Sequence, residues 1–131
     1  MWLLILTMVL LPMKGITKQH FKNTRVKFEL QGLVQIHHII PRQFRNHPVL
    51  KEFDIEDGQN FLFMPTELGK QRLNTIRLTH DGGHSQYNKF VGHHIEHIYR
   101  NGPMDCREDE VLKLVLSLRR NLTTHSEIPW T

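Results

Sequence analysis

Gln35-Ile36-His37-His38-Ile39-Ile40-Pro41, then Asn60, then Thr79-His80-Asp81-Gly82-Gly83-His84-Ser85-Gln86-Tyr87 place a paired histidine, an asparagine and a spaced histidine pair in chain order. Hydrolysis that relies on histidine both for metal binding and for proton transfer needs histidines of two kinds, because an imidazole that binds the metal cannot also take a proton from water. Adjacent histidines on a short extended segment can divide the work, since successive side chains point to opposite sides of the backbone. One can face a metal while its neighbour faces an attacking water.

Around the histidine pair, Leu33 to Ile36 is apolar and branched, and Pro41 closes the strand. Upstream, Val26, Phe28 and Leu30 alternate with polar residues and Gln31-Gly32 supplies a turn, so a β-hairpin leading into His37 is predicted. Lys14 to Lys27 reads as a polar, basic linker or arm. Downstream, His47 to Phe53 predicts a short helix, Asp57-Gly58 a turn, and Phe61 to Met64 a short strand stopped by Pro65. Glu67 to Leu78 has helical composition and is followed by the Asp81-Gly82-Gly83 break. Tyr87, Val91, Ile95 and Ile98 then recur at helical spacing, from a start at His84 or Ser85 to a stop at Asn101-Gly102-Pro103. A last amphipathic helix, Glu108 to Arg120, presents Val111, Leu112, Val115, Leu116 and Leu118.

The 131 residues suit one α+β domain with one site. Lys and Arg outnumber Asp and Glu by 17 to 13, a net charge of +4 to which the ten histidines only add, and that balance favours a polyanionic partner. Cys106 is the only cysteine, which excludes an internal disulfide and a thiolate zinc cluster and leaves histidine, carboxylate or amide to hold any metal. Trp2 to Leu11 is apolar but too short to span a bilayer, so no membrane partner is expected. It also lacks a basic stretch before it and a small-residue cleavage site after it. A buried N-terminal helix or strand, or a start codon upstream of the true one, is favoured over a signal segment, and an intracellular location over export.

Strand, asparagine-bearing loop, strand and histidine-bearing helix is the order of the ββα-metal finger of HNH nucleases. His37-His38-Ile39-Ile40-Pro41, the segment around Pro48-Val49-Leu50, Asn60 with Phe61-Leu62-Phe63-Met64-Pro65, and His80-x-x-Gly83-His84-x-x-Tyr87 together resemble the AHH family of the HNH/endonuclease VII superfamily, over residues 33 to 98. The alanine of the family's name is Ile36 here, at a strand-packing position. Members of that family often stand at the ends of large bacterial toxins, a role not expected of this chain.

The resemblance implies a ββα-metal (HNH, His-Me finger) core with additional helices, including the C-terminal amphipathic one. It further implies a metal-dependent endonuclease that leaves 5′-phosphate and 3′-hydroxyl ends on nucleic acid, DNA ahead of RNA. His37 is then a metal ligand and His38 the general base, a role suited to an imidazole whose ordinary pKa is about 6.5. Asn60 becomes the middle asparagine that ties the loop and orients the base, and His80 and His84 the remaining ligands of one divalent ion, Mg²⁺, Mn²⁺ or Zn²⁺. Glycines between His80 and His84 argue against a regular helix there, so His84 is expected to open the helix and His80 to reach in from the preceding turn. Residues 20–102 would form the nuclease core, with an apolar segment and linker at 1–19 and a helix and tail at 103–131.

Arg42, Arg45, Arg77 and Lys89, with Lys70 and Arg72, could form a phosphate-contacting rim, although each could equally be an ordinary solvated side chain. No strong base-specific readout is expected. Asn60 taken alone would be a common loop asparagine bonding its own turn, and Tyr87 reads as core. His93 and His97 form a rival spaced pair with His94 between them and are read as surface or interface histidines, while His20, His47 and His125 are isolated. Two other functions compete: a non-enzymatic nucleic-acid-binding protein whose zinc site fills all four positions with protein ligands, and a histidine-rich interaction protein without metal.

Overall fold

The computed structural model describes residues 14–74, 79–80, 84–102, 104–124 and 128–130. Among them the chain is α+β: helices α1 (Lys18–Lys27), α2 (Glu67–Leu73), α3 (Ser85–Asn101) and α4 (Arg107–Thr124) surround one antiparallel sheet of β1 (Val34–His38) and β2 (Phe61–Pro65). No helix among the described residues is long and apolar enough to cross a membrane. The apolar run Trp2 to Leu11 and the Asp81-Gly82-Gly83 break lie outside the described residues.

The hairpin predicted upstream of His37 is replaced by α1 and a turn. Thr17 opens the helix, its hydroxyl accepting from His20 N at 3.1 Å. The end is a Schellman-type closure: Leu30 N donates to Arg25 O at 2.8 Å, Glu29 N donates to Val26 O at 3.0 Å, and Glu29 sits at φ 56°. Such a terminus usually carries glycine at the left-handed position. Here glutamate occupies it, and the buried Leu30 anchors the turn instead. The alternation of Val26, Phe28 and Leu30 thus straddles a helix end, with Val26 facing solvent, and the supposed linker from Lys14 is helical from Lys18.

β1 pairs with β2, in the register Gln35↔Met64, Ile36↔Phe63, His37↔Leu62 and His38↔Phe61. All of β2 is buried, which explains its unbroken apolar run. Phe21 of α1 stacks against it, 5.4 Å from Phe61 and 5.2 Å from Phe63 between ring centres. The connection between the strands is built of single 3-10 turns at Arg42–Phe44, Pro48–Leu50 and Gly58–Asn60, so only one turn of the helix predicted over His47 to Phe53 forms.

After β2, Thr66 caps α2 by accepting from Gly69 N at 3.0 Å while donating to Gly32 O at 2.7 Å. A Cβ on Gly69 would stand 1.7 Å from Leu33 O, so glycine is what lets α2 approach the start of β1. The described part of this helix ends at Leu73, with Asn74 in the left-handed region at φ 52°. α3 matches its expected bounds and buries Tyr87, Val91, Ile95 and Ile98. α4 buries Val111, Val115, Leu118 and Leu122 along one stripe and turns Leu116, predicted as a core position, to solvent. The same stripe buries Arg119, whose guanidinium donates to Gln59 O at 2.6 Å. Burial lowers its pKa to about 10.

Candidate active site

β1 delivers the two adjacent histidines to different surroundings. His37 is buried, its Nδ1 3.1 Å from His80 Nε2 and its ring centre 5.4 Å from that of His84 and 5.1 Å from that of Tyr87. His38 instead packs on Phe61 at 5.0 Å and places Nε2 3.1 Å from Glu56 Oε1 and 3.2 Å from Oε2. The pleat of β1 causes this separation, since consecutive side chains leave a strand in opposite directions.

His80 reaches the cluster from the segment after α2. Its backbone N donates to Pro65 O at 2.8 Å, which ties that segment to the end of β2. His84 is the residue at the N-cap position of α3 and makes no side-chain capping bond. One ring nitrogen from each of His37, His80 and His84 lies within 4.8 Å of the others, so these three side chains could hold a metal ion. His93, nine residues beyond His84, is exposed and lines a neighbouring groove with Gln43, Phe44 and His47, while His97 Nδ1 lies 3.2 Å from the amide of Asn101. Neither joins the cluster.

Three features bear on whether a metal fits. His80 Nδ1 lies 2.8 Å from Gln35 Oε1 and His84 Nδ1 lies 3.0 Å from Asn88 Oδ1. Each amide oxygen accepts the Nδ1 proton, which leaves Nε2 of both rings with its lone pair. Second, the 3.1 Å between His37 Nδ1 and His80 Nε2 approaches the ~3.3 Å that separates two nitrogens on one tetrahedral ion. Third, burial, followed by the electrostatic effect of the neighbouring His80, His84 and His38, lowers the His37 pKa well below the usual range and favours the neutral imidazole that ligation requires. His37 Nε2 is itself buried with no hydrogen-bond partner among the described residues. The donor set fits a divalent ion.

Asn60, fully buried, closes the inter-strand loop. Its Oδ1 accepts from Ile40 N at 2.8 Å, and its Nδ2 donates to Ile40 O at 3.1 Å and Ile55 O at 3.0 Å. It thereby fixes the backbone two residues beyond His38 and the segment beside Glu56. Asn60→Ala would strand these buried backbone groups, and a loss of about 2–4 kcal/mol in unfolding free energy is expected. Chemical denaturation checks this, and a change below about 0.5 kcal/mol would refute the clamp.

The cluster opens on a cleft of about 270 Å³ lined by His37, His38, His80, His84, Arg42 and Asn88 among others. Arg42 lies on its rim, its Nε 3.5 Å from Glu56 Oε1. Arg45 is exposed, Lys89 faces the neighbouring groove, and Arg77 lies outside the described residues. Tyr87 is fully buried and donates its hydroxyl proton to Ile39 O, and burial raises its pKa, so it remains a donor. His47, which looked isolated, accepts from Val49 N at 3.2 Å and meets Glu96 at 2.7 Å.

Several neighbours left no mark in the sequence reading. Asn88 stands one helical turn after His84, a spacing that could have suggested it. Gln35 shares a strand face with His37, at the i, i+2 spacing of a strand. Glu56 and Trp130 gave no local signal. The Trp130 ring centre lies 5.4, 6.1 and 5.0 Å from those of His37, His80 and His84.

The comparison with known families places this chain in a class, that of nucleases of the HNH/ENDO VII superfamily. Residues 19–121 match the AHH family, described as a nuclease family of that superfamily with conserved AHH, and the chain belongs to it. It is accordingly a hydrolase that acts on nucleic acid. No curated protein and no solved structure matches the chain.

Proposed function

We propose that the chain is a metal-dependent endonuclease of ββα-metal type, with β1, β2 and α3 as the finger, that hydrolyses phosphodiester bonds in DNA in preference to RNA and with little sequence specificity. The observation that carries this reading is the convergence of His37, His80 and His84 within 4.8 Å beside His38 in one cleft. Three protein ligands are the number a catalytic site uses, whereas a structural zinc site fills all four positions.

His37, His80 and His84 would hold the ion, which could be Mg²⁺, Mn²⁺ or Zn²⁺. When bound, a divalent cation supplies Lewis-acid neutralisation of a nonbridging phosphate oxygen and of the departing 3′ oxygen. Gln35 and Asn88 keep the His80 and His84 tautomers that present Nε2. His38 is the general base. With its Nε2 proton donated to Glu56, its Nδ1 carries the lone pair that accepts a proton from the attacking water. Burial lowers the His38 pKa, and Glu56 opposes that shift.

Asn60 holds the loop that sets His38 and Glu56 against each other. Arg42, Arg45 and Lys89 would contact flanking phosphates without reading bases, and Arg77 is proposed for the same rim from the sequence. Attack by water in line with the 3′ oxygen leaves 5′-phosphate and 3′-hydroxyl ends. Nicked plasmid from the reaction should therefore be resealed by DNA ligase without prior treatment. Nicks that need phosphate removed from the 3′ end before ligation would contradict this mechanism.

A further inference from the structure

Trp130 lies beyond residue 121, where the family match ends, yet it touches both histidine-bearing segments of the site. Its indole Nε1 donates to Thr79 O at 3.1 Å, directly before His80. Its backbone O accepts from Tyr87 N at 3.2 Å, in the first turn of α3. The first turn of a helix has free N–H groups that the N-cap side chain ordinarily satisfies. Here that residue is His84, whose Nδ1 is engaged with Asn88 and which makes no capping bond. The carbonyl of Trp130 does the capping that a ligand histidine cannot. Its ring also packs at 32° over His84, with centres 5.0 Å apart, and at 5.3 Å from Tyr87.

We infer that Trp130 is a positioning residue for the metal ligands His80 and His84, locking both segments and walling one side of the cluster. The inference rests on the metal-site reading given above. The indole fixes the backbone next to His80, and the carbonyl fixes the turn that carries His84. Removing the side chain should loosen the segment that carries His80 and the ring packing that orients His84, while the backbone carbonyl that caps α3 is retained. Outer contacts of this kind typically contribute 10- to 100-fold in metal affinity.

The test uses the full chain, with Zn²⁺ affinity measured by calorimetry and Co²⁺ followed by tryptophan emission in a Trp2→Phe background, which leaves Trp130 as the only tryptophan. Trp130→Ala should bind Zn²⁺ about 10-fold more weakly or worse while the metal-free protein stays folded, its backbone carbonyl still able to accept from Tyr87 N. Trp130→Phe keeps a ring and the backbone carbonyl but loses the indole N–H, so it should fall between the two and decides the matter should Trp130→Ala not fold. Co²⁺ should quench Trp130 emission in step with occupancy, and His84→Ala should remove that quenching. Zn²⁺ binding by the wild type with both Trp130 variants unchanged to within about twofold would overturn this inference while sparing the metal site. A folded wild type that takes up neither Zn²⁺ nor Co²⁺ would overturn the site and this inference together.

Discussion

His38→Ala is expected to reduce cleavage by two or more orders of magnitude while metal uptake stays near wild type. General bases typically contribute ~10²- to 10⁴-fold, and His38 is separated from the ligand cluster by the alternation of β1. Its partners are Glu56 and Phe61, whereas the rings around His37 are His80, His84, Tyr87 and Trp130. Losing the His38 imidazole therefore removes a proton acceptor and no ligand. Glu56→Gln should cost less, since an amide oxygen can still accept the Nε2 proton but without the carboxylate charge. Single-turnover cleavage and calorimetric metal titration on the same preparations distinguish the effects. Should His38→Ala bind no metal while His37→Ala binds normally, the two roles are reversed.

The second large effect concerns the choice between two spaced histidine pairs. His84→Ala and His37→Ala should each abolish cleavage and weaken metal binding, whereas His93→Ala combined with His97→Ala should leave cleavage largely intact. His93 is nine residues beyond His84, roughly 13 Å along the axis of a helix, and imidazoles bind metal at about 2 Å. In the fold it is exposed and lines the groove next to the cleft. A folded but inactive His93/His97 double variant beside an active His84→Ala would move the site along α3.

How much of this was legible in the sequence depended on whether the signal was local. α3 was readable from Tyr87, Val91, Ile95 and Ile98 because a buried stripe repeats with the helix, and β2 because Pro65 ends an apolar run. The strand, asparagine loop and strand order of the resemblance allowed for the pairing with Phe61 to Pro65, but the alternation of Val26, Phe28 and Leu30 suggested a different partner for β1. Its true partner begins at Phe61, across a loop held by the three side-chain bonds of Asn60, and no periodicity encodes such a pairing. The false hairpin came from a helix end that lacks its usual glycine, Glu29 taking the left-handed position. Arg119 is buried on α4, where the carbonyl of Gln59 meets it, a tertiary contact that no local pattern announces.

The candidate site divides the same way. His37, His80 and His84 could be nominated from order and spacing, and the fold brings them within 4.8 Å. Glu56 and Trp130 could not be nominated, since each meets its histidine only through the tertiary path of a loop or tail. Gln35 and Asn88 sat at strand and helix spacings from ligand histidines, but spacing alone does not reveal that an amide oxygen points at Nδ1. Chain-local patterns thus nominated the histidines that the fold brings together, and the groups beside them emerged from packing.

The most direct test of a one-metal nuclease site is plasmid cleavage by the purified, folded protein, with Mg²⁺, Mn²⁺, Zn²⁺ or Ni²⁺ supplied singly and with RNA in parallel. Nicking or linearisation that requires a divalent ion, and is abolished by EDTA, is the predicted result. Absence of cleavage of both DNA and RNA with every ion, by protein that binds zinc and remains folded, would contradict the proposal and point to a structural zinc site.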